Sequence, residues 1–191
     1  MTGAAGRRTL AVLLILAGLS ILAGAAWIPA KAALAQVLLE RAFAESLATG
    51  RPVRPWPSAD TEPVARLTVG GHSFIVLRGG SGQALAFGPG HLGETPEAGE
   101  PGTAVFAAHR DTQFSVLGGV KPGDVVAVTR RDGRSVRFRI TGSRVVSWDA
   151  SGIDPAAPGS NLALVTCWPL DGLLQGPLRL VVEATLLEYA G

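Results

Sequence analysis

Residues 124–141 read Asp-Val-Val-Ala-Val-Thr-Arg-Arg-Asp-Gly-Arg-Ser-Val-Arg-Phe-Arg-Ile-Thr. Two β-branched, alternating runs, Asp124–Thr129 and Val136–Thr141, flank Arg131-Asp132-Gly133-Arg134. Asp-Gly supplies the positive φ values that a tight hairpin turn requires, so the stretch predicts two antiparallel strands. The pattern continues upstream in Val64–Val69, Ser73–Leu77, Ala84–Phe87 and Thr103–Ala108, and downstream in Leu162–Thr166 and Leu178–Leu187. Gly70-Gly71 and Gly79-Gly80 punctuate the earlier runs. Ser143–Ser147 reads as a continuation or a further strand, Gly88–Gly102 as a loop, and Thr112–Leu117 as a short helix. About eight strands predict a mainly β fold, a closed or nearly closed barrel, because closure removes exposed sheet edges.

The 191 residues leave room for one domain, and the first sixty differ from the rest. Thr9–Ala30 is a run of 22 uncharged residues, long enough for a helix to cross a bilayer. Arg7 and Arg8 precede it and predict a cytoplasmic N-terminus with everything downstream extracytoplasmic. The small residues Ala23-Gly24-Ala25-Ala26 leave a cleaved signal peptide as the rival reading. Ala32–Leu47 carries Leu34, Leu38, Leu39, Ala42 and Phe43 at helical spacing and predicts a juxtamembrane helix. Gly50, Pro52, Pro55, Pro57 and Pro63 end it in an extended linker. The expected organisation is therefore a tip and single-pass anchor over 1–30, a helix and Pro-rich linker over 31–63, and the barrel over 64–191, facing the periplasm if the source is Gram-negative.

Residues 1–59 carry six basic side chains against two acidic ones, and residues 60–191 carry eleven against thirteen. A slightly acidic folded domain without a basic stripe argues against nucleic acid as a partner. The single cysteine forbids an internal disulfide and a Cys-rich zinc site. Glu94, Glu97 and Glu100 are too sparse and too evenly scattered to predict a calcium loop, so neither metal nor cofactor is expected. The residues alone do not set the oligomeric state.

Three chemical groups sit where strands begin or end. Cys167 follows Leu164-Val165-Thr166 and precedes Trp168-Pro169, so its thiol lies at a strand end, where a thiolate is an accessible nucleophile. His109 ends the strand through Ala108 and offers an imidazole for proton transfer near neutral pH. Arg179 opens the last strand and, being donor only, suits a developing oxyanion. Taken singly each has a plainer reading: a core thiol, a surface histidine, a rim ion pair. Asp111 reads as the N-cap of the short helix, and His72 has no expected role. Val165, Trp168 and Leu174 are candidates for an apolar groove wall.

Together these residues resemble the sortases, in which a Thr-Cys ends one strand, a His follows an earlier strand, and an Arg lies on the strand after the Cys. Thr166-Cys167, His109 and Arg179 fill those places. The likeness also takes in Phe87-Gly88-Pro89-Gly90-His91, Pro101-Gly102-Thr103, His109-Arg110-Asp111-Thr112 and Lys121-Pro122-Gly123-Asp124, in order, over about residues 64–187. Pro55-Trp56-Pro57-Ser58-Ala59-Asp60 resembles the stretch before the domain in the Gram-negative subgroup. Ala108, where the family often has Gly, and Ser58, where it often has an aromatic, depart from the pattern. The resemblance implies a cysteine transpeptidase that cleaves a Leu-Pro-x-Thr-Gly-like C-terminal signal between Thr and Gly and passes the acyl group to an amine acceptor. It implies Cys167 as nucleophile, Arg179 with a backbone N–H near Cys167 at the oxyanion, and His109 as the acid. Thr166, Val165, Trp168 and His91 are the substrate-contacting candidates, and His91 competes with His109 for the acid role. Two readings stand against this one: a catalytically silent anchored barrel for binding or assembly, and an L,D-transpeptidase, whose Ser-x-Gly-Cys-x-Arg pattern Thr166-Cys167-Trp168-Pro169 does not fit.

Overall fold

The computed structural model of the protein describes residues 3–172 and 176–190. The chain divides into two compact units, Met1–Val37 and Leu38–Gly191. Helix α1 spans Gly3–Thr49, and the apolar run over 9–30 lies within it. Among the described residues no helix is long and apolar enough to cross a membrane. The predicted crossing falls mostly on side chains outside the described residues, all of 21–30 included.

The second unit is built on a closed barrel of eight strands: β1 (Pro63–Val69), β2 (His72–Arg78), β3 (Gly90–His91), β4 (Gly102–Ala107), β5 (Val125–Arg130), β6 (Ser135–Ser147), β7 (Ser160–Cys167) and β8 (Leu178–Ala190). Around the barrel they run β1-β2-β3-β4-β7-β8-β6-β5. β4 and β7 are parallel, as are β2 and β3, and the other neighbours are antiparallel.

Alternation along the strands separates the two faces. Leu67, Val69, Val126, Val128, Val136, Phe138, Leu162, Leu164, Val182 and Ala184 point inward with Phe106 and form the main core. The other parity is also covered in two places. Outside β2, Ile75 and Leu77 pack with Ala84 and with Leu39 and Phe43 from the C-terminal part of α1. Outside β4, β7 and β8, Val105, Ala163 and Val181 lie beneath Leu92, Val146 and Ile153. The second compact unit begins at Leu38 and so includes Leu39 and Phe43.

The hairpin at 124–141 forms as its Asp-Gly signal predicts, with Thr129 opposite Ser135 and Gly133 at φ 84°. Ser143–Ser147 continues the same strand, β6. Ala84–Phe87 is not a strand: Gly82–Phe87 is helix α2, whose first turn is capped by Ser81 Oγ accepting from Ala84 N–H at 3.2 Å. Strand β3 lies inside the predicted loop, held by only two residue pairs on each side. The short helix after β4 is a 3₁₀ turn, Gln113–Gly118, and its N-cap is Thr112 without a side-chain bond, so Asp111 does not cap it. The β1–β2 turn uses Gly70 and Gly71 at φ 57° and 79°, and a Cβ on Gly70 would run into Val116 of the 3₁₀ turn.

Two of the loop acids have a structural task. Arg130, buried at the end of β5, is clasped by Glu97, by Glu100 at 3.2 Å and by Asp132 at 3.0 Å, and it donates to the Ala98 carbonyl at 3.4 Å. Glu97 and Glu100 thus tie the 92–101 segment to the barrel end, while Glu94 is exposed.

Candidate active site

Strands β4, β7 and β8 are consecutive neighbours, and the three candidate groups lie at the same end of them. Cys167, the last residue of β7, pairs directly with Arg179, the second residue of β8. Directly opposed residues project to one face with Cβ atoms about 4.5–5.5 Å apart. That face is the outer one: Cys167 shares the parity of Ala163 and Val165, and Arg179 that of Val181. The parallel register places Ala107 opposite Val165 and, continued by two residues, sets His109 level with Cys167.

Backbone and side-chain bonds continue this alignment past the end of β4. Ala108 N–H donates to the Val165 carbonyl at 3.1 Å. The Thr166 hydroxyl donates to the Ala108 carbonyl at 2.8 Å. Arg110 Nη1 donates to the Pro169 carbonyl at 3.0 Å. The His109 carbonyl accepts from Phe114 N–H at 3.1 Å, opening the 3₁₀ turn. His109 itself is exposed and Cys167 is half-buried with a free thiol.

Arg179 is half-buried, and its Nη1 donates to the carbonyls of Gly176 at 2.9 Å and Leu178 at 2.8 Å. These bonds hold the guanidinium at the entrance to β8. The Trp168 N–H, one of the backbone donors nearest Cys167, is committed to the Leu178 carbonyl at 3.0 Å and so continues the β7–β8 ladder.

The four substrate-contacting candidates separate by parity. Val165 lies half-buried on the outer face beside Cys167. Thr166 points inward, 2% exposed, with its hydroxyl on Ala108, so it braces the segment carrying His109 and does not face a substrate. Trp168 packs against the main core and closes the barrel's end. Leu174 lies outside the described residues. His91 is inside the barrel, 8% exposed, edge-on to Phe106 at 5.6 Å between ring centres. Its Nε2 donates to the Pro96 carbonyl at 3.0 Å. Burial pushes its pKa below the ordinary histidine value, against the opposing pull of that carbonyl and of Glu97. A neutral, inward-turned imidazole is a structural histidine here, which leaves His109 as the candidate acid. His72 is exposed on the β1–β2 hairpin, stacked on Phe74. Among the described residues no group of three or more His, Cys, Asp or Glu side chains is placed to hold a metal ion.

Arg110 carried no role in the sequence reading. It is 8% exposed, although a charged residue after an exposed histidine looks like surface. Its burial arises from the loop after β7 folding back over it, a tertiary contact with no local signature.

A Sortase domain family profile matches residues 68–187. No curated protein sequence matches the chain. Among solved structures, sortase A from Corynebacterium diphtheriae superposes with a TM-score of 0.62 at 22% identity, over 69% of this chain and 63% of that one. The chain thus spans less than two thirds of that structure's length. Sortase C-1 from Actinomyces oris superposes with a TM-score of 0.57 at 28% identity, over 66% and 73%. A variant of sortase E from Streptomyces avermitilis superposes with a TM-score of 0.56 at 29% identity, over 67% and 89%.

Proposed function

The chain belongs to the sortase family of cysteine transpeptidases, and from that premise we propose that Cys167, His109 and Arg179 carry a transpeptidation on a Leu-Pro-x-Thr-Gly-like C-terminal sorting signal. The observation that carries the reading is the pairing of Cys167 with Arg179 across β7 and β8 on the outer face, with His109 two residues past the end of the neighbouring strand β4.

In the first half-reaction the Cys167 thiolate attacks the carbonyl carbon of the signal's Thr. The Arg179 guanidinium, whose Nη1 is held by the Gly176 and Leu178 carbonyls, stabilises the oxyanion through its other N–H donors. Collapse of the tetrahedral adduct breaks the Thr–Gly bond, and His109 gives its proton to the departing glycine amine. The product is a thioester between Cys167 and the Thr acyl group. In the second half an acceptor amine adds to that thioester, His109 takes its proton, and the C–S bond breaks to return the thiolate. Val165 and its apolar neighbours on the outer face offer a wall for the signal's Leu and Pro.

We place the barrel on the outer side of a cytoplasmic membrane, anchored through residues 9–30. Support comes from the uncharged run and from Arg7 and Arg8 before it. The partners are then a signal-bearing substrate protein and an amine acceptor.

The test uses the full chain in detergent with a fluorogenic Leu-Pro-x-Thr-Gly peptide and an amine acceptor, beside a Cys167→Ala control. Cleavage and acceptor-linked product from the wild type alone are expected. Equal signal from both proteins would remove the proposal.

A further inference from the structure

His109 and Cys167 are 58 residues apart in sequence, as are the bonded neighbours Ala108 and Thr166. Their relative placement must therefore be made by tertiary bonds. Before His109, Ala108 is fixed at both its polar atoms: its N–H to Val165 at 3.1 Å and its carbonyl to the Thr166 hydroxyl at 2.8 Å. Strand β4 ends at Ala107, and beyond His109 the chain turns into the 3₁₀ helix. On that side the Arg110 guanidinium crosses to the Pro169 carbonyl, two residues beyond Cys167, at 3.0 Å. His109 is thus tied through both neighbours to residues on both sides of Cys167.

A second observation shows how closely the Arg110 contact is fitted. A Cβ placed on Gly172 would stand 3.1 Å from Arg110 Nη1, 3.1 Å from the Pro169 carbonyl oxygen and 3.0 Å from Pro169 Cγ. Those distances are tighter than ordinary van der Waals contact, so glycine at 172 leaves the room in which the guanidinium meets the carbonyl. Arg110 is buried although it follows an exposed residue, which is costly for a cation unless the site holds it.

We propose that Arg110 is a positioning residue: by bonding the Pro169 carbonyl it fixes the spacing between the His109 imidazole and the Cys167 sulfur. It touches neither substrate nor reacting atom and acts through His109. The inference rests on the assignment of His109 and Cys167 as the reacting pair. A displacement of about 1 Å between reacting groups is enough to lower a rate by up to two orders of magnitude.

The test has two readouts on the full chain in detergent. The first is kcat and KM with the fluorogenic peptide. Arg110→Met should lower kcat at least tenfold with KM within about twofold, and Arg110→Lys, which keeps one donor for the carbonyl, should recover part of the loss. Gly172→Ala, which perturbs the same contact from the other side while keeping the arginine, should lower kcat in the same way. The second readout is the rate of Cys167 alkylation by iodoacetamide at a fixed neutral pH, which needs no knowledge of the substrate. A histidine held beside a thiol assists its reaction, so Arg110→Met should slow alkylation, as should His109→Ala.

The deciding comparison is the double variant. If Arg110 acts through His109, adding Arg110→Met to His109→Ala should produce no further slowing. An unchanged alkylation rate in both Arg110→Met and Gly172→Ala, or a full additional slowing in the double variant, would overturn the proposal. Near-UV circular dichroism checks that each variant is folded, and if Arg110→Met is not, Arg110→Lys and Gly172→Ala carry the same comparison. If the wild type cleaves no peptide while the alkylation pattern holds, the sorting-signal reading fails and the positioning role stands.

Discussion

Removing the Phe43 ring should destabilise the barrel although Phe43 lies outside it, on α1. Phe43 is 1% exposed and packs with Leu39, Ile75, Leu77 and Ala84. The Arg66 guanidinium lies 5.3 Å from its ring centre, and Arg66 pairs with Glu40 one turn earlier on the helix. A buried Phe→Ala change typically costs about 3–5 kcal/mol, the lost transfer energy plus the cavity that remains. The cation–π contact adds about 0.5–1 kcal/mol at a partly exposed site such as Arg66. A total of about 5 kcal/mol is a large share of the roughly 5–15 kcal/mol that holds a domain together. For a unit of this size each kcal/mol moves Tm by about 2–4 °C, so Phe43→Ala should melt about 10–20 °C below the wild type. Leu34→Ala, at a position 58% exposed on the same helix, should stay within about 0.5 kcal/mol of the wild type. The assay is thermal unfolding of the purified full chain followed by near-UV circular dichroism. A further arm compares a chain beginning at Lys31 with one beginning at Asp60, which lacks Leu39 and Phe43 and bares Ile75 and Leu77. If Phe43→Ala melts within 2 °C of the wild type, or if both truncated chains melt together, α1 is not part of the folded unit and the packing argument fails.

Thr166→Val keeps the volume of the side chain and removes the donor to the Ala108 carbonyl. It should cost about 1–2 kcal/mol in a denaturant titration and lower kcat, while Thr166→Ser should retain most of both. The His91 pKa lies below its ordinary 6.5 because burial disfavours the imidazolium. A depressed pKa means that the unfolded chain binds the proton more readily, so His91 contributes stability above pH 6.5 that is lost as the pH falls through the mid-6 range and below. Denaturation midpoints should therefore drop between pH 7.5 and pH 5, and His91→Gln should flatten that slope. An unchanged slope in the variant would show that other groups set it.

The strands that face the core on one side were legible because alternation and turn chemistry agree, as in Val125–Arg130 and Ser135–Ser147 around Gly133. Ala84–Phe87 misled because a short apolar run does not distinguish a strand from one helical turn, and the deciding signal was the Ser81 cap before it. Strand β3 carries no periodicity in two residues, and only its neighbours on both sides define it. Of the candidate residues, Cys167 and Arg179 stand at the end and start of recognisable strands, and His109 follows the end of β4 by two residues. What each neighbour does was not readable. Thr166 and Arg110 point to polar partners 58 and 59 residues away, and nothing local announces such bonds. The loop acids behaved likewise: Glu97 and Glu100 look like solvated surface until Arg130 arrives between them from β5.

The order of strands around the barrel has a consequence in time as well as in space. Strand β7 carries the thiol between two neighbours at unequal distances along the chain: β8, reached by the short connection after Cys167, and β4, whose first residue Gly102 pairs with Ser160. The β7–β8 pairing is local, whereas the β4–β7 pairing is slower because closure of a long loop precedes any gain from contact. Cys167 therefore meets Arg179 through a local pairing, while the segment carrying His109 joins them only when β4 and β7 close the long loop between them. During refolding, the contact of the Thr166 segment with Ala108 should form later than the β7–β8 pairing, and the reverse order in pulsed hydrogen exchange would contradict this reading.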